Sequence, residues 1–186
     1  MDSGFRKTHG LEDKFIILSV SSFWGERKGY KYLLELSERI GEDEVIVAVG
    51  VDEQQKRELP INMVGIKRTD SVRELAEIYS AADVFVNPTL EEVFGLVNVE
   101  SLCCGTPVVT FDTGGSPETV DGSSGIVVER GNTEKLYNAI EEVKAKGKLY
   151  YSKSCIERVR NYFDKDKNYR KYISLYMEIG RTKKVK

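Results

Sequence analysis

Asp83-Val84-Phe85-Val86-Asn87-Pro88, followed by Glu92-Val93-Phe94-Gly95-Leu96-Val97-Asn98-Val99-Glu100, is the stretch whose reading decides the fold. The first run is apolar and β-branched and stops at a proline, which cannot donate to a ladder, so it reads as a buried strand. From Phe94 the spacing turns helical, and after Ser101-Leu102-Cys103-Cys104 come Gly105 and Pro107, a helix stop. A helix that starts on leaving a strand keeps its first N–H groups, near Phe94, Gly95 and Leu96, unpartnered and partially positive. Glu92 falls on the loop and Glu100 within the helix, roughly 12 Å apart at about 1.5 Å of rise per residue. An anion docked at the helix start would have a carboxylate on either side. That span matches a sugar–diphosphate–ribose, whose ends carry hydroxyls that carboxylates accept, and a nucleotide-sugar site is the expectation.

Working outward, strand-like and helix-like segments alternate. Apolar runs at Phe15 to Val20, Val45 to Val49, Ile61 to Gly65, Val108 to Phe111 and Gly125 to Val128 read as strands. Helical spacing covers Lys28 to Ile40, Ser71 to Ala82 with Asp70 or Ser71 as N-cap, a short turn from Ser116-Pro117, and about 133–146, 149–163 and 166–180. Continuous apolar strands alternating with helices predict an α/β fold: a Rossmann-like, doubly wound parallel sheet flanked by helices. Ligands bind such sheets outside the carboxyl ends of the strands. The loops Ser21 to Gly29, Ile66 to Thr69, Pro88 to Phe94 and Asp112 to Ser116 all fall there.

Two of these loops carry cations. Arg27 and Lys28 lie where the chain leaves strand one for a helix, an unfavourable end for positive charge unless an anion sits there. The plain alternative is a pair of exposed cations. Gly65-Ile66-Lys67-Arg68 offers backbone groups to a base or is a surface turn. Gly114-Gly115 allows close approach of a ligand or is simply a turn.

The 186 residues suffice for one substantial core. No apolar run approaches the ~20 residues that span a bilayer, and the cytoplasm is the default expectation. Cys103, Cys104 and Cys155 fit neither a disulfide framework nor a metal spacing; Cys103 and Cys104 are expected to be buried. The formal net charge is −2, but residues 1–140 carry 14 Lys and Arg against 24 Asp and Glu, and residues 141–186 carry 14 against 6. A basic C-terminus suits anionic lipid or nucleic acid, and equally the solvated face of terminal helices; a nucleic-acid partner is not expected. No Gly-x-Gly-x-x-Gly follows the first strand and no Gly-x-x-x-x-Gly-Lys-Ser/Thr occurs. The single histidine, His9, precedes the first strand, which disfavours a histidine triad or zinc site, and Asp164-Lys165-Asp166 reads as a helix cap.

Together, Glu92-x7-Glu100 enclosing Phe94-Gly95-Leu96, Cys104-Gly105-Thr106-Pro107-Val108-Val109, and Gly114-Gly115-Ser116-Pro117-Glu118 resemble the C-terminal half of the group 1 (family 4) glycosyltransferases. Lys28-Gly29 and Tyr79-Ser80-Ala81-Ala82-Asp83 fit as well, and the likeness covers nearly the whole chain from about Phe15. Those enzymes have two facing Rossmann-like domains, the GT-B architecture. The resemblance implies that Glu100 holds the ribose, Glu92 the donor sugar, the amides of Phe94, Gly95 and Leu96 the sugar and distal phosphate, and Lys28 the diphosphate. Backbone around Ile66 and Lys67 would meet the base. It implies a retaining, metal-independent hexosyltransferase that needs no cofactor, uses a UDP- or GDP-linked sugar and serves a polysaccharide, lipid or other glycan acceptor.

The chain departs from the family in two respects. Ser22 stands where members often carry an arginine, and Arg27 is the expected stand-in. The second is length: residues 1–14 read as an interdomain linker remnant, 15–165 as the nucleotide-sugar-binding domain, and 166–186 as a helix with a basic tail. That helix would pack on a missing N-terminal acceptor domain. The expectation is a donor-binding half, excised or natural, inactive alone, with peripheral membrane contact in the full enzyme. The alternatives are a non-catalytic nucleotide-sugar-binding module and a sugar-nucleotide epimerase or phosphorylase of the same architecture.

Overall fold

Residues 4–182 are described by a computed structural model. One parallel sheet contains β1 (Phe15–Val20), β2 (Glu44–Val49), β3 (Met63–Ile66), β4 (Val84–Asn87), β5 (Val108–Phe111) and β6 (Gly125–Val128), in the order β3-β2-β1-β4-β5-β6. Phe15 lies opposite Glu44 and Val20 opposite Val49, while β1 meets β4 with Ile17 opposite Val84. The inner strands are buried on both faces, as their unbroken β-branched sequences require. This is the doubly wound, Rossmann-like sheet that the alternation predicts. Its strand order reverses between β1 and β4, opening a crevice at their carboxyl ends.

The helices are α1 (Phe5–His9), α2 (Tyr30–Ser37), α3 (Glu53–Glu58), α4 (Val72–Ala81), α5 (Leu96–Cys103), α6 (Ser116–Thr119), α7 (Thr133–Lys146), α8 (Lys148–Arg158) and α9 (Lys165–Thr182). Right-handed crossovers place α2 and α5 on opposite faces, because the chain steps in opposite directions from β1 and from β4. On one face α2 meets α7; on the other α5 packs with α4 and α8. Ser71 caps α4 by accepting from the Glu74 amide, and Asp164 caps α9 by accepting from that of Lys167 at 2.8 Å.

Several boundaries differ from the sequence reading. The helix expected over Lys28 to Ile40 is a 3₁₀ turn at Glu26–Lys28 followed by α2. Gly29 breaks it with φ +73°, and a Cβ there would lie 1.9 Å from the Pro88 carbonyl oxygen. The helix expected from Phe94 begins at Leu96, so three loop residues separate Glu92 from it, and the helical-rise estimate of 12 Å loses its basis. The third strand begins at Met63, with Ile61 fully exposed. Helix α3 was not expected, although Asp52 and Gln55 close a capping box at its start. A single π-helical turn at Val159–Phe163 ends the helix expected over 149–163. Cys103 is exposed and Cys104 half-buried, contrary to expectation; Cys155 is buried.

The stretch read as a linker contains α1, which is tied down: Arg6 Nε donates to the Ala81 carbonyl at 2.9 Å and its guanidinium pairs with Asp83 at 2.7 Å. Lys148 Nζ donates to the Ser80 and Ala82 carbonyls at 2.6 and 2.7 Å, closing the end of α4; burial depresses its pKa. Helix α9 follows the π turn with Tyr172, Ile173, Leu175, Tyr176 and Met177 all exposed. The basic residues 183–186 of the expected tail lie outside the described residues.

Candidate nucleotide-sugar site at the switch point

The crevice between β1 and β4 holds two adjoining cavities that share Val20, Ser21, Ser22 and Val97. One, of about 440 Å³, is walled by Trp24, Lys28, Asn87, Glu92 and residues 93–97. The other, of about 420 Å³, runs on to Val49, Gly50, Lys67, Arg68, Thr69, Leu75 and Glu100. The trough therefore has Glu92 at one end, Glu100 at the other, and the start of α5 along its wall.

Lys28 Nζ lies 3.0 Å from Glu92 Oε2, with both side chains largely shielded from solvent. The other Glu92 oxygen accepts from the Val93 amide at 3.1 Å. Backbone ties hold this pair: the Arg27 carbonyl accepts from the Leu90 amide at 2.8 Å and from Thr89 Oγ1 at 3.2 Å, which joins the loop carrying Lys28 to the loop carrying Glu92. Behind Glu92 stands the diglycine turn. A Cβ on Gly114, whose φ is +51°, would lie 1.7 Å from the Glu92 carbonyl oxygen. The turn is thus the support on which the Glu92 loop rests, a role that its sequence alone did not distinguish from any other turn.

At the start of α5 no side chain caps the helix. The Asn98 amide bonds to the Gly95 carbonyl at 3.0 Å, and the amides of Phe94, Gly95, Leu96 and Val97, all lining the trough, have no acceptor among the described residues. Phe94 and Gly95 lie in the loop, and the Phe94 ring packs edge-on against Phe163, centroids 5.7 Å apart. At the far end, Tyr79 donates its hydroxyl to Glu100 Oε2 at 3.1 Å.

Of the other expected residues, Arg27 and Ile66 fall outside the trough and Lys67 reaches it. Arg27 is exposed and paired with Glu91 at 2.8 Å; it lines not the cavity containing Ser22 but an adjoining one, which shares Lys28 and Glu92 with it and is closed by Asp112, Thr113 and Arg130. The Ile66 carbonyl accepts from the Gly50 amide at 2.7 Å, and Ile66 lines a cavity with His9 and Leu59 rather than the trough. Lys67 reaches the trough and forms an ion pair with Glu53.

Residues the sequence reading passed over complete the site. Fully buried Asn98 accepts from Asn87 Nδ2 at 2.9 Å and donates to Thr119 Oγ1 at 3.0 Å, binding the end of β4 to the first turn of α5 and to α6. The signal available was two asparagines at positions that the apolar pattern assigns to the core. Trp24 fills the floor and donates from Nε1 to the Val49 carbonyl at 2.9 Å.

A parallel sheet of this order, with an uncapped helix start and a carboxylate on either side of it at the switch point, defines a Rossmann-type α/β domain. The family described as "Glycosyl transferases group 1" matches residues 14–145, and the chain belongs to that family. The D-inositol 3-phosphate glycosyltransferase of Mycobacteroides abscessus is 37% identical over 89 residues, 47% of this chain and 20% of that protein. Sucrose-phosphate synthase from Thermosynechococcus elongatus superposes with a TM-score of 0.80 and 27% identity, over 96% of this chain and 49% of that one. Anabaena Alr3699/HepE, solved in complex with UDP-glucose, gives a TM-score of 0.70 and 24% identity over 85% of this chain and 47% of that one. The chain thus spans about a fifth of the first relative and about half of each solved chain.

Proposed function

We propose that this chain is the nucleotide-sugar donor half of a retaining, metal-independent hexosyltransferase. The observation that carries the reading is the continuous trough with a carboxylate at each end and Lys28 and the free α5 amides between them. In this arrangement Glu100 accepts from the ribose, Lys28 and the amides of Leu96 and Val97 bind the diphosphate, and Glu92 accepts from the sugar. Charge that develops on the leaving diphosphate meets fixed donors that need no reorganisation, which takes the place of a metal ion. Lys28 would then exchange part of its contact with Glu92 for phosphate oxygens. Membership of the glycosyltransferase family and the UDP-glucose held by HepE support the ligand class.

The exposed Val93 and Leu96 at the rim, and the apolar face of α9, are what a second domain would cover. Sugar transfer requires that domain, because donor and acceptor react only when both are held in place. Calorimetry of the chain with UDP, GDP and ADP, together with a transfer assay using UDP-glucose and GDP-mannose, tests both halves of the reading. Binding of at least one diphosphate without transfer is expected. Absence of binding to all three at millimolar concentration refutes the donor site, and transfer by the chain alone refutes the assignment as a half.

A further inference from the structure

We infer that Tyr79 is a positioning residue: its hydroxyl fixes the Glu100 carboxylate so that the free carboxylate oxygen faces a ribose hydroxyl of the donor. This deepens the proposed function and rests on its reading of Glu100 as the ribose contact. Glu100 is an exposed helical residue, and such a side chain ordinarily samples several rotamers, which ligand binding would have to freeze. Here Glu100 Oε2 accepts from Tyr79 at 3.1 Å, and among the described residues no other donor reaches this carboxylate. The second oxygen is left for a ligand at the end of the trough.

Tyr79 is suited to hold something else still because it is itself immobile. It is 1% exposed, its ring packs edge-on against Phe85 with centroids 5.4 Å apart, and its carbonyl accepts from Thr106 Oγ1 at 2.6 Å. The direction of the bond is settled as well. Burial first, and then the Glu100 charge, push the phenol's pKa far above its usual range, so the hydroxyl keeps its proton and donates. A tyrosine placed purely to fill the core would need no carboxylate at the mouth of a ligand trough. The motif therefore extends back from its second glutamate to a tyrosine 21 residues earlier, across the α4–α5 contact.

The test compares the wild-type chain with Tyr79→Phe, Glu100→Gln and the double variant. Calorimetry uses the tightest-binding of UDP, GDP and ADP and its 2′,3′-dideoxy counterpart. The wild type is expected to prefer the ribose form about tenfold, the scale of a hydrogen bond to an ionised group. Tyr79→Phe should cut that preference to about threefold or less, leave dideoxy affinity within about twofold, and add nothing further in the Glu100→Gln background. A wild type that does not discriminate refutes Glu100 as the ribose contact and this inference with it. If Glu100→Gln loses the preference but Tyr79→Phe retains it, the proposed function stands and the positioning role falls. Equal weakening of both ligand forms, or a Tyr79→Phe chain whose circular dichroism shows no fold, assigns the hydroxyl to the core and also overturns the role.

Discussion

Asn98→Ala should destabilise the domain far more than a single polar truncation normally does. Asn98 is fully buried between three elements: Oδ1 accepts from Asn87 Nδ2 at 2.9 Å, and Nδ2 donates to Thr119 Oγ1 at 3.0 Å. Thr119 Oγ1 keeps its own bond to the Ser116 carbonyl at 2.6 Å, so its loss is partial. Asn87 Nδ2 is left buried without an acceptor, at about 1–3 kcal/mol, and the lost bond to Thr119 adds roughly 0.5–1.5 kcal/mol. The sum is about 2–4 kcal/mol, which for a domain of this size lowers Tm by roughly 5–15 °C. Urea and thermal unfolding followed by circular dichroism measure it. Asn87→Ala/Asn98→Ala should cost less than the sum of the single variants, by about 1 kcal/mol, since the double variant orphans no donor. An Asn98→Ala chain within about 1 kcal/mol of wild type, strictly additive with Asn87→Ala, would refute the claim that this network welds the α5 start to the sheet.

Gly114→Ala forces a methyl against the Glu92 carbonyl in a backbone region that disfavours L side chains, whereas a Cβ at Gly122 meets nothing within 4 Å. Urea melts should show the first losing about 3 kcal/mol or more and the second staying within about 1 kcal/mol of wild type. Lys28→Ala should weaken diphosphate affinity about tenfold in calorimetry, while Arg27→Ala, which removes an exposed pair facing a different cavity, should change it less than twofold. Burial, then the neighbouring Glu44 carboxylate, raise the pKa of Glu141. A carboxyl whose folded pKa is raised contributes its full stability below the unfolded pKa and loses it as pH rises through the folded value. Glu141→Gln should therefore raise Tm at pH 7 relative to wild type, with the gain vanishing near pH 4, as thermal scans across that range would report.

How much of this was legible in the sequence follows from the range of each interaction. The inner strands and most helix spans were readable because hydrophobic period and caps act over a few residues; Ser71, Asp164 and the Ser116-Pro117 turn all behave as their local chemistry dictates. Carboxylates around an uncapped helix start were readable for the same reason. That helix starts two residues later than its spacing suggests because Gly95 takes a left-handed φ of +87°, which ends helical backbone there, and the Phe94 ring ahead of it packs on Phe163, 69 positions on. Gly29 ended the turn before α2 because the Pro88 carbonyl occupies the space a side chain would need, a contact between two loops that no local pattern reports.

The same distinction explains why the cations were harder to place than the carboxylates. Arg27 and Lys28 are adjacent in sequence and were equally plausible at a helix start. In the 3₁₀ turn they diverge: Lys28 turns inward to Glu92, and Arg27 turns outward to Glu91. Consecutive residues in such a turn point about 120° apart, so two adjacent cations meet different neighbours. The Arg27 carbonyl, not its guanidinium, is the part that serves the site, since it anchors Thr89 and Leu90 and thereby the loop that presents Glu92. Positive charge in the cavity beside Glu92 and Ser22 therefore rests on Lys28 and the amides at the start of α5, while Lys67 and Arg68 line the Glu100 end of the trough. On the proposed reading the Lys28–Glu92 pair is the pivot of the trough: the carboxylate assigned there to the sugar holds in place, at 3.0 Å, the cation assigned to the phosphates.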